Sequence, residues 1–240
     1  MSAKWFIAPV VLMLASCAAP TAKVTEHFPA TYRAAGNEPF WHLRMQDQTI
    51  TVERPDSPPF LTSVTGIAET DEAPHGGWYA EGKDIRMQIW RERCEDDMSG
   101  QPFEHRVFMQ LQGREYRGCG GSGLPPARLE ETQWLVSEIR GQAVRLDAPP
   151  SLMIDPNGQV AGSDGCNRIA GGFHLESDGT VRHPASGWMA TRMACAAPRM
   201  QVAQQYGDAL RAAQTWRFDG AALIMQDKNG ATVLRYRQTY

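Results

Sequence analysis

The chain has 240 residues, with 24 Lys and Arg against 27 Asp and Glu, so its formal net charge is −3 with neutral histidine. This slightly acidic composition offers no basic patch of the kind that binds nucleic acid. The length allows two small domains more naturally than one large core. The 22 glycines and 16 prolines divide the chain into many short segments, which favours strands over long helices.

The first twenty residues have the features of an export signal. Lys4 supplies a positive charge, and residues 5–15 follow it without any charge. This run has about the length of a signal-peptide apolar core, whereas a stable membrane span needs roughly 20 apolar residues. It ends in Leu14-Ala15-Ser16-Cys17, which resembles the lipobox of bacterial lipoproteins.

The lipobox resemblance implies that residues 1–16 are removed as a signal peptide and that the Cys17 thiol receives lipid. Several acyl chains anchor a protein where a single chain binds only marginally. Ala18, rather than Asp, follows the cysteine, and the resemblance then implies an outer-membrane location facing the periplasm. Residues 17–33 are expected to be the lipidated cysteine and a polar tether. The alternative is an ordinary secretory signal, with Cys17 unmodified.

The five cysteines form an odd set, and lipidation of Cys17 explains the odd thiol. The other four allow three pairings. A proline-containing break near residue 125 separates them, so we expect Cys94 to pair with Cys119 and Cys166 with Cys195. Each bond would close a loop of about 25 to 30 residues and stabilise the fold by about 3.5 kcal/mol. A zinc site, disfavoured by the lack of a CxxC pair, and free buried thiols remain the alternatives.

The region from residue 34 to 123 alternates apolar and polar residues, which predicts half-buried strands at residues 49–52, 85–90 and 107–111. It opens with Gly36-Asn37-Glu38-Pro39-Phe40-Trp41. It closes with a Cys94 segment containing Met98-Ser99-Gly100, followed by Gly118-Cys119-Gly120-Gly121. This pattern resembles an uncharacterised domain of bacterial envelope lipoproteins, and the resemblance brings no known activity.

The region from residue 129 to 240 predicts a sheet with one helix. Strands are expected at residues 132–136, 151–154, 160–163, 188–193, 215–218, 223–226 and 232–236, and tight turns at 155–158 and 177–179. After Pro198, which suits the first turn of a helix, one helical face carries Val202, Tyr206, Ala209, Leu210 and Ala213. The expected class is α+β and β-rich, with two small antiparallel-sheet domains and one helix packed on the second sheet.

Two ordered motifs in this second region carry a family resemblance. They are Gly165-Cys166-Asn167-Arg168 with Gly171-Gly172-Phe173, and residues 189–195, which precede the helix and a strand ending at Asp227. The pattern resembles the META (HslJ-like) domain. The resemblance implies a small β-rich α+β fold in the envelope, linked to stress and antibiotic tolerance, with no established enzymatic mechanism or ligand. Both motifs contain a cysteine, which supports the pairing of Cys166 with Cys195.

Several residues are weighed as functional candidates. Asn167 and Arg168 are candidates for ligand contact, since the Arg fork suits carboxylates and sugar phosphates, although capping of the disulfide loop is favoured. Ser163 lies in a run without the G-x-S-x-G order of a nucleophile elbow and is expected in a turn. His174 and His183, and the acidic run 95–97 with Asp96, are weak candidates for a base or a metal site. The tryptophans are expected to be core anchors.

We therefore expect a non-catalytic, lipid-anchored envelope protein that acts by binding, in envelope stress or antibiotic tolerance. Its expected partners are the membrane, through Cys17, and another envelope protein, with no nucleic acid, no cofactor and no metal. One alternative is an inhibitor of a periplasmic hydrolase such as lysozyme. Another is a metal-dependent binder or enzyme that uses His174, His183 or the Asp96 loop.

Overall fold

The computed structural model describes residues 28–71, 75–185 and 187–239. The predicted signal peptide, Cys17 and most of the predicted tether lie outside these residues. Within them, the chain forms two antiparallel sheets and one α-helix. The predicted α+β, β-rich class is confirmed. In the same ranges, none of the helical structure is long and apolar enough for a bilayer crossing.

The first sheet is an antiparallel barrel. Its nine strands in the described residues are β1 (Thr31–Asn37), β2 (Phe40–Gln46), β3 (Thr49–Arg54), β4 (Ser57–Thr70), β5 (Gly77–Gly82), β6 (Ile85–Trp90), β7 (Cys94–Glu95), β8 (Pro102–Leu111) and β9 (Arg114–Gly123). They lie in the order β6-β5-β4-β3-β2-β1-β9-β8-β7, and β8 also pairs with β6. This last pairing closes eight strands into a barrel, from which β7 extends.

Period-two burial explains why these segments are strands of a barrel. In β2, Trp41, Leu43 and Met45 are buried and the residues between them are exposed, so one face points into the core. The turn from β2 to β3 places Asp47 and Gln48 at positive φ, as a two-residue hairpin with the twist of its strands requires. The tether boundary at residue 33 is wrong, because β1 begins at Thr31 and buries Tyr32 in the core.

The second sheet contains the remaining described strands. They are β10 (Gln133–Ile139), β11 (Gln142–Ala143), β12 (Ser151–Ile154), β13 (Gln159–Ser163), β14 (Arg168–Leu175), β15 (Val181–Arg182), β16 (Met189–Ala190), β17 (Thr215–Asp219), β18 (Ala222–Gln226) and β19 (Thr232–Thr239). The main path is β15-β14-β13-β12-β10-β19-β18-β17, with β11 beside β10 and β16 beside β14. A bridge between Thr180 and Thr215 joins the two ends, so this sheet is also barrel-like.

The predicted helix is α1 (Ala197–Ala212), with proline in its first turn. It buries Tyr206, Ala209 and Leu210 against a core that includes Trp134, as the helical periodicity predicts. The predicted strand over 188–193 is wrong beyond Met189–Ala190. The residues after Ala190 leave the strand ladder and are held by hydrogen bonds of the Asn167 and Thr191 side chains and by one backbone bond from the Thr191 N–H to the Arg168 carbonyl.

Candidate functional site

The first motif of the second domain forms a tight loop between β13 and β14. The Asp164 side chain shapes it, because its Oδ1 accepts hydrogen bonds from the backbone N–H groups of Cys166, at 2.8 Å, and Asn167. Gly165 adopts a φ of 94°, a conformation that glycine tolerates best. The Ser163 hydroxyl accepts a hydrogen bond from the Gly165 N–H at 3.0 Å. Ser163 is therefore the last residue of β13, and its hydroxyl helps to hold the turn that follows.

Asn167 joins the first motif to the second. Its Oδ1 accepts a hydrogen bond from the Met193 N–H at 2.8 Å, and its Nδ2 donates to Asp164 Oδ2 at 3.1 Å. Thr191 adds two links to the backbone of Arg168, since the Thr191 N–H donates to the Arg168 carbonyl and the Arg168 N–H donates to the Thr191 hydroxyl. These bonds replace a regular strand pairing over residues 191–195.

The Cys166 and Cys195 sulfur atoms lie at disulfide distance, 2.10 Å apart, which completes the connection of the two motifs. Cys94 and Cys119 lie at 1.99 Å in the first barrel. Both pairs match the expected pairing. Because Cys195 lies two residues before α1, the second disulfide also places the start of the helix beside the first motif loop.

A cavity of about 280 Å³ lies between the two motifs and α1. We call it the motif cavity. Its lining residues come from both motifs, from the segment before β16 and from one face of the helix: Asp164, Cys166, Asn167, Ile169, Trp188, Met193, Met200, Ala203, Gln204, Tyr206, Gly207, Leu210 and Arg211. The helix presents Gly207 to the cavity, and the Arg211 guanidinium lies 3.6 Å from the position that a Cβ of residue 207 would take.

Two buried tyrosines lie behind this cavity. The Tyr236 hydroxyl donates to the Tyr206 hydroxyl at 3.2 Å, and both side chains are fully buried. Burial raises the pKa of both phenols above the ordinary value, and the Asp164 carboxylate adds to this effect on Tyr206. Both phenols are therefore neutral at physiological pH.

The outer side of the cavity combines a cation, an aromatic ring and methionines. The Arg211 guanidinium lies 5.4 Å from the centre of the Trp188 ring and forms an ion pair with Asp208 at 2.6 Å. Met193 is 57% exposed and Met200 is 53% exposed. We call these two side chains the methionine rim. Thioether side chains are flexible and polarisable, and they are frequent at adaptable binding surfaces.

The structure separates the two predicted ligand-contact residues. Asn167 lines the motif cavity, although its side chain is mostly engaged in holding the two motifs together. Arg168 is exposed and does not line the cavity. Sequence reasoning missed Trp188, Met193, Met200 and Arg211 as members of one surface. The sequence signal that pointed to this surface was the pair Gly207 and Arg211, which lie one helical turn apart beside the buried face of α1.

The weaker candidates His183 and His174 lie among contacts that belong to the fold. A ring nitrogen of His183 donates to the Ala213 carbonyl at 2.6 Å, at the end of α1. Among the described residues, no group of three or more His, Cys, Asp or Glu side chains is placed to hold a metal ion. His174 lies on β14 opposite Arg182 of β15.

Asp96 is part of the hydrogen bonding that shapes its own loop. Its carboxylate accepts hydrogen bonds from the Ser99 N–H, the Ser99 hydroxyl and the Asn37 amide, at 2.8, 2.7 and 2.8 Å. Partial burial opposes ionisation, but these bonds outweigh it and hold the pKa of Asp96 below its usual value. The contact with Asn37 connects the opening motif of the first barrel to the Cys94 loop.

The model of the META domain family matches residues 127–240. Among curated proteins no match was found. Among solved structures, the chain is similar to the NMR structure of a protein from Burkholderia xenovorans, with 25% identity and a TM-score of 0.36 over 46% of this chain and 83% of that one. The C-terminal part of the chain, residues 127–240, is therefore a META domain.

Proposed function

We propose that this protein is a non-catalytic binding protein of the bacterial cell envelope, anchored by lipid on Cys17, and that its META domain docks a partner protein at the motif cavity. The family of the C-terminal domain supports an envelope-type protein. The observation that carries the docking proposal is the motif cavity itself, because both family motifs are used to build it and exposed methionines border it.

The size and lining of the motif cavity suit one side chain of a partner. About 280 Å³ lies at the lower end of the range of small-molecule sites, which are typically about 300 to 1,000 Å³. Protein interfaces commonly place an apolar or aromatic anchor in such a pocket. Trp188 and the methionine rim supply apolar contact, while Asn167 and Arg211 supply polar groups at the edge.

The strand register also places a row of apolar side chains on the outer face of the sheet. Met153 lies opposite Ala161, Ala161 opposite Ala170, and Ala170 opposite Met189. Directly opposite residues point to the same face of an antiparallel sheet. Met153 and Met189 are 51% and 71% exposed, so this row of four residues adds apolar area to the outer face, as expected for a surface that contacts another protein.

In-cell photo-crosslinking tests the docking proposal. A photoreactive phenylalanine replaces Met193 or Met200 in the full chain, and a matched variant carries it at Met98, which is 69% exposed in the first barrel. We expect one discrete protein adduct from both rim positions, lost when Trp188→Ala is added, and no such adduct from position 98. Equal adducts at all three positions, or none at the rim, contradict the proposal. A captured cell-wall hydrolase that the purified protein inhibits would specify the function as hydrolase inhibition.

The lipid anchor is tested separately. Mass spectrometry of the protein isolated from its native membrane is expected to show a chain that begins at a lipid-modified Cys17, and Cys17→Ser is expected to release the protein from the membrane fraction. An intact Met1 or an unmodified Cys17 contradicts the anchor while leaving the docking proposal intact.

A further inference from the structure

The first barrel has an opening in its wall between β1 and β9. These strands pair only at Ala34 with Gly120 and at Ala35 with Cys119, so the residues of β1 before Ala34 have no partner in β9. A cavity of about 540 Å³ lies at this place. We call it the lateral cleft, and its lining includes Tyr32, Arg33, Arg44, Trp78, Glu104 and His105. It belongs to a different domain from the motif cavity and does not depend on the proposed docking function.

Tyr32 supplies a buried hydroxyl to the lateral cleft. Its side chain is only 2% exposed, and its hydroxyl has no hydrogen-bond partner among the described residues. Burial, together with the nearby Glu104 carboxylate, raises the pKa of Tyr32 well above the ordinary value, so the group remains a neutral O–H donor. Buried polar groups without a partner are rare in folded proteins because they are costly. An acceptor atom from a ligand would satisfy this hydroxyl.

Two glycines of β9 make room for the polar groups of the cleft. A Cβ atom on residue 120 would lie 2.3 Å from the Tyr32 hydroxyl oxygen. One on residue 121, which has a φ of 83°, would lie 2.6 Å from His105 Nδ1 and 2.8 Å from Glu104 Oε2. The Gly118-Cys119-Gly120-Gly121 motif therefore permits the arrangement of Tyr32, Glu104 and His105 along this wall.

Arg33 and Arg44 form a basic pair on the other wall. They lie directly opposite each other on β1 and β2, both are exposed, and within the described residues neither side chain makes a hydrogen bond or an ion pair. Like charges directly opposite each other destabilise a sheet. Guanidinium groups bind carboxylate, phosphate and sulfonate oxygens well, because their N–H groups form a planar fork. An anion between the two arginines would offset their repulsion.

Aromatic rings form the inner side of the cleft. The rings of Trp78 and His105 meet edge to face at 5.2 Å, and those of Tyr32 and His105 lie 5.8 Å apart. We propose that the lateral cleft binds a small organic anion, with its acid group at Arg33 and Arg44 and its apolar part beside the aromatic cluster of Tyr32, Trp78 and Phe28, whose rings pack on one another. The Glu104 carboxylate on the opposite wall orients the acid group towards the arginines by repulsion.

The test uses 8-anilinonaphthalene-1-sulfonate as an anionic probe of the full chain, and N-phenyl-1-naphthylamine as a probe with the same ring system but no sulfonate. We expect saturable fluorescence enhancement at one site for the anionic probe, and at least about tenfold weaker binding of the neutral probe. The two arginines supply this difference through charge-assisted hydrogen bonds.

Three variants identify the cleft as the place of binding. The double variant Arg33→Gln/Arg44→Gln is expected to weaken binding of the anionic probe at least tenfold. Tyr32→Phe is expected to weaken it by about fivefold, the effect of one hydrogen bond, and Glu104→Gln to strengthen it. The matched control is Arg86→Gln/Arg114→Gln, which removes the same charge from exposed positions elsewhere on the barrel and is expected to leave binding unchanged.

Several outcomes would overturn the proposal. These are the absence of saturable binding, equal binding of the two probes, an equal loss in the control double variant, or weaker binding in Glu104→Gln. Circular dichroism and urea denaturation of each variant separate a loss of the site from a loss of the fold. Tyr32→Phe is expected to keep the fold, because it removes only one unpartnered oxygen. Weaker probe binding in this variant therefore reports on the site itself.

Discussion

The two domains share a plan, a barrel-like sheet with one disulfide beside a glycine-containing motif, but they use their motif residues differently. In the first barrel, Gly36 and Gly118 allow backbones to approach, since a Cβ on residue 118 would lie 1.9 Å from the Ala35 carbonyl oxygen. In the META domain, Asp164 and Asn167 hold irregular backbone through side-chain hydrogen bonds. A Gly-Cys motif therefore marks close packing of strands in one domain and a polar connection between segments in the other.

This difference determines where the candidate binding surface of each domain lies. Where backbone contact dominates, the opening arises at the end of a strand pairing, as at Ala34 and Gly120. Where side chains hold the segment, the opening arises between that segment and the helix, as at Met193 and Met200. Each domain is therefore expected to depend on its motif in the way that these contacts indicate.

The largest effect is expected from Gly118→Ala. The added methyl group would overlap the Ala35 carbonyl and force β1 and β9 apart, so the first barrel should lose about 4 kcal/mol of its free energy of unfolding, as severe overpacking does. Urea denaturation monitored by NMR signals of β9 measures the loss. Gly66→Ala is the matched control, because a Cβ on residue 66 meets nothing within 4 Å. Similar stabilities for the two variants would contradict the packing role.

Removal of each disulfide is expected to loosen a different segment of the chain. Their sequence separations are 25 and 29 residues, so replacing either pair by serine should cost about 3.5 kcal/mol by the chain-entropy model. Removal of Cys166–Cys195 should also increase hydrogen exchange at residues 191–195, which lack a strand ladder, whereas removal of Cys94–Cys119 should leave that segment unchanged. Exchange that rises equally in both variants would show that the disulfide does not hold the second motif.

Asn167→Ala and Arg168→Ala form a matched pair of neighbours. Asn167→Ala removes the acceptor of the Met193 N–H and the donor to Asp164, so it should reduce the stability of the META domain by about 2 kcal/mol. Arg168→Ala, at an exposed position, should change it by less than about 0.5 kcal/mol. Thermal denaturation of the two variants measures this difference in stability. A larger loss of stability for Arg168→Ala than for Asn167→Ala would contradict the structural role of Asn167.

Alkaline pH is expected to affect the META domain more steeply than the first barrel. The pKa values of Tyr206 and Tyr236 are raised in the folded state, so above pH about 10 the unfolded chain releases protons that the folded chain retains, and stability falls. Each tyrosine contributes up to about 1.4 kcal/mol per pH unit, with two in the META domain and Tyr32 in the first barrel. Tyr236→Phe should halve the META slope in urea denaturation from pH 9 to 11.5. An unchanged slope would argue against burial of a neutral phenol.

Local patterns were enough to predict the elements that depend on neighbouring residues. The alternation at residues 85–90 matches β6, because each side chain alternates between core and solvent. The turn at 155–158 forms as expected, with Gly158 at a φ of 77° and the Asp155 carboxylate accepting backbone N–H bonds. The buried face of α1 follows from helical spacing for the same reason.

The sequence by itself determined the strand and turn periodicity and the position of the helix, because these are read from residues close together in the chain. The expected cysteine pairs came instead from the break near residue 125 and from the META motifs that contain Cys166 and Cys195. Only the tertiary structure decided that the sheets close, that β1 begins at Thr31, and that residues 191–195 leave the strand ladder. It also brought Trp188 to Arg211 and Tyr32 to Gly120. Those contacts join residues far apart in sequence, and their geometry depends on barrel closure and on bonds such as Asn167 to Met193, which no local pattern encodes.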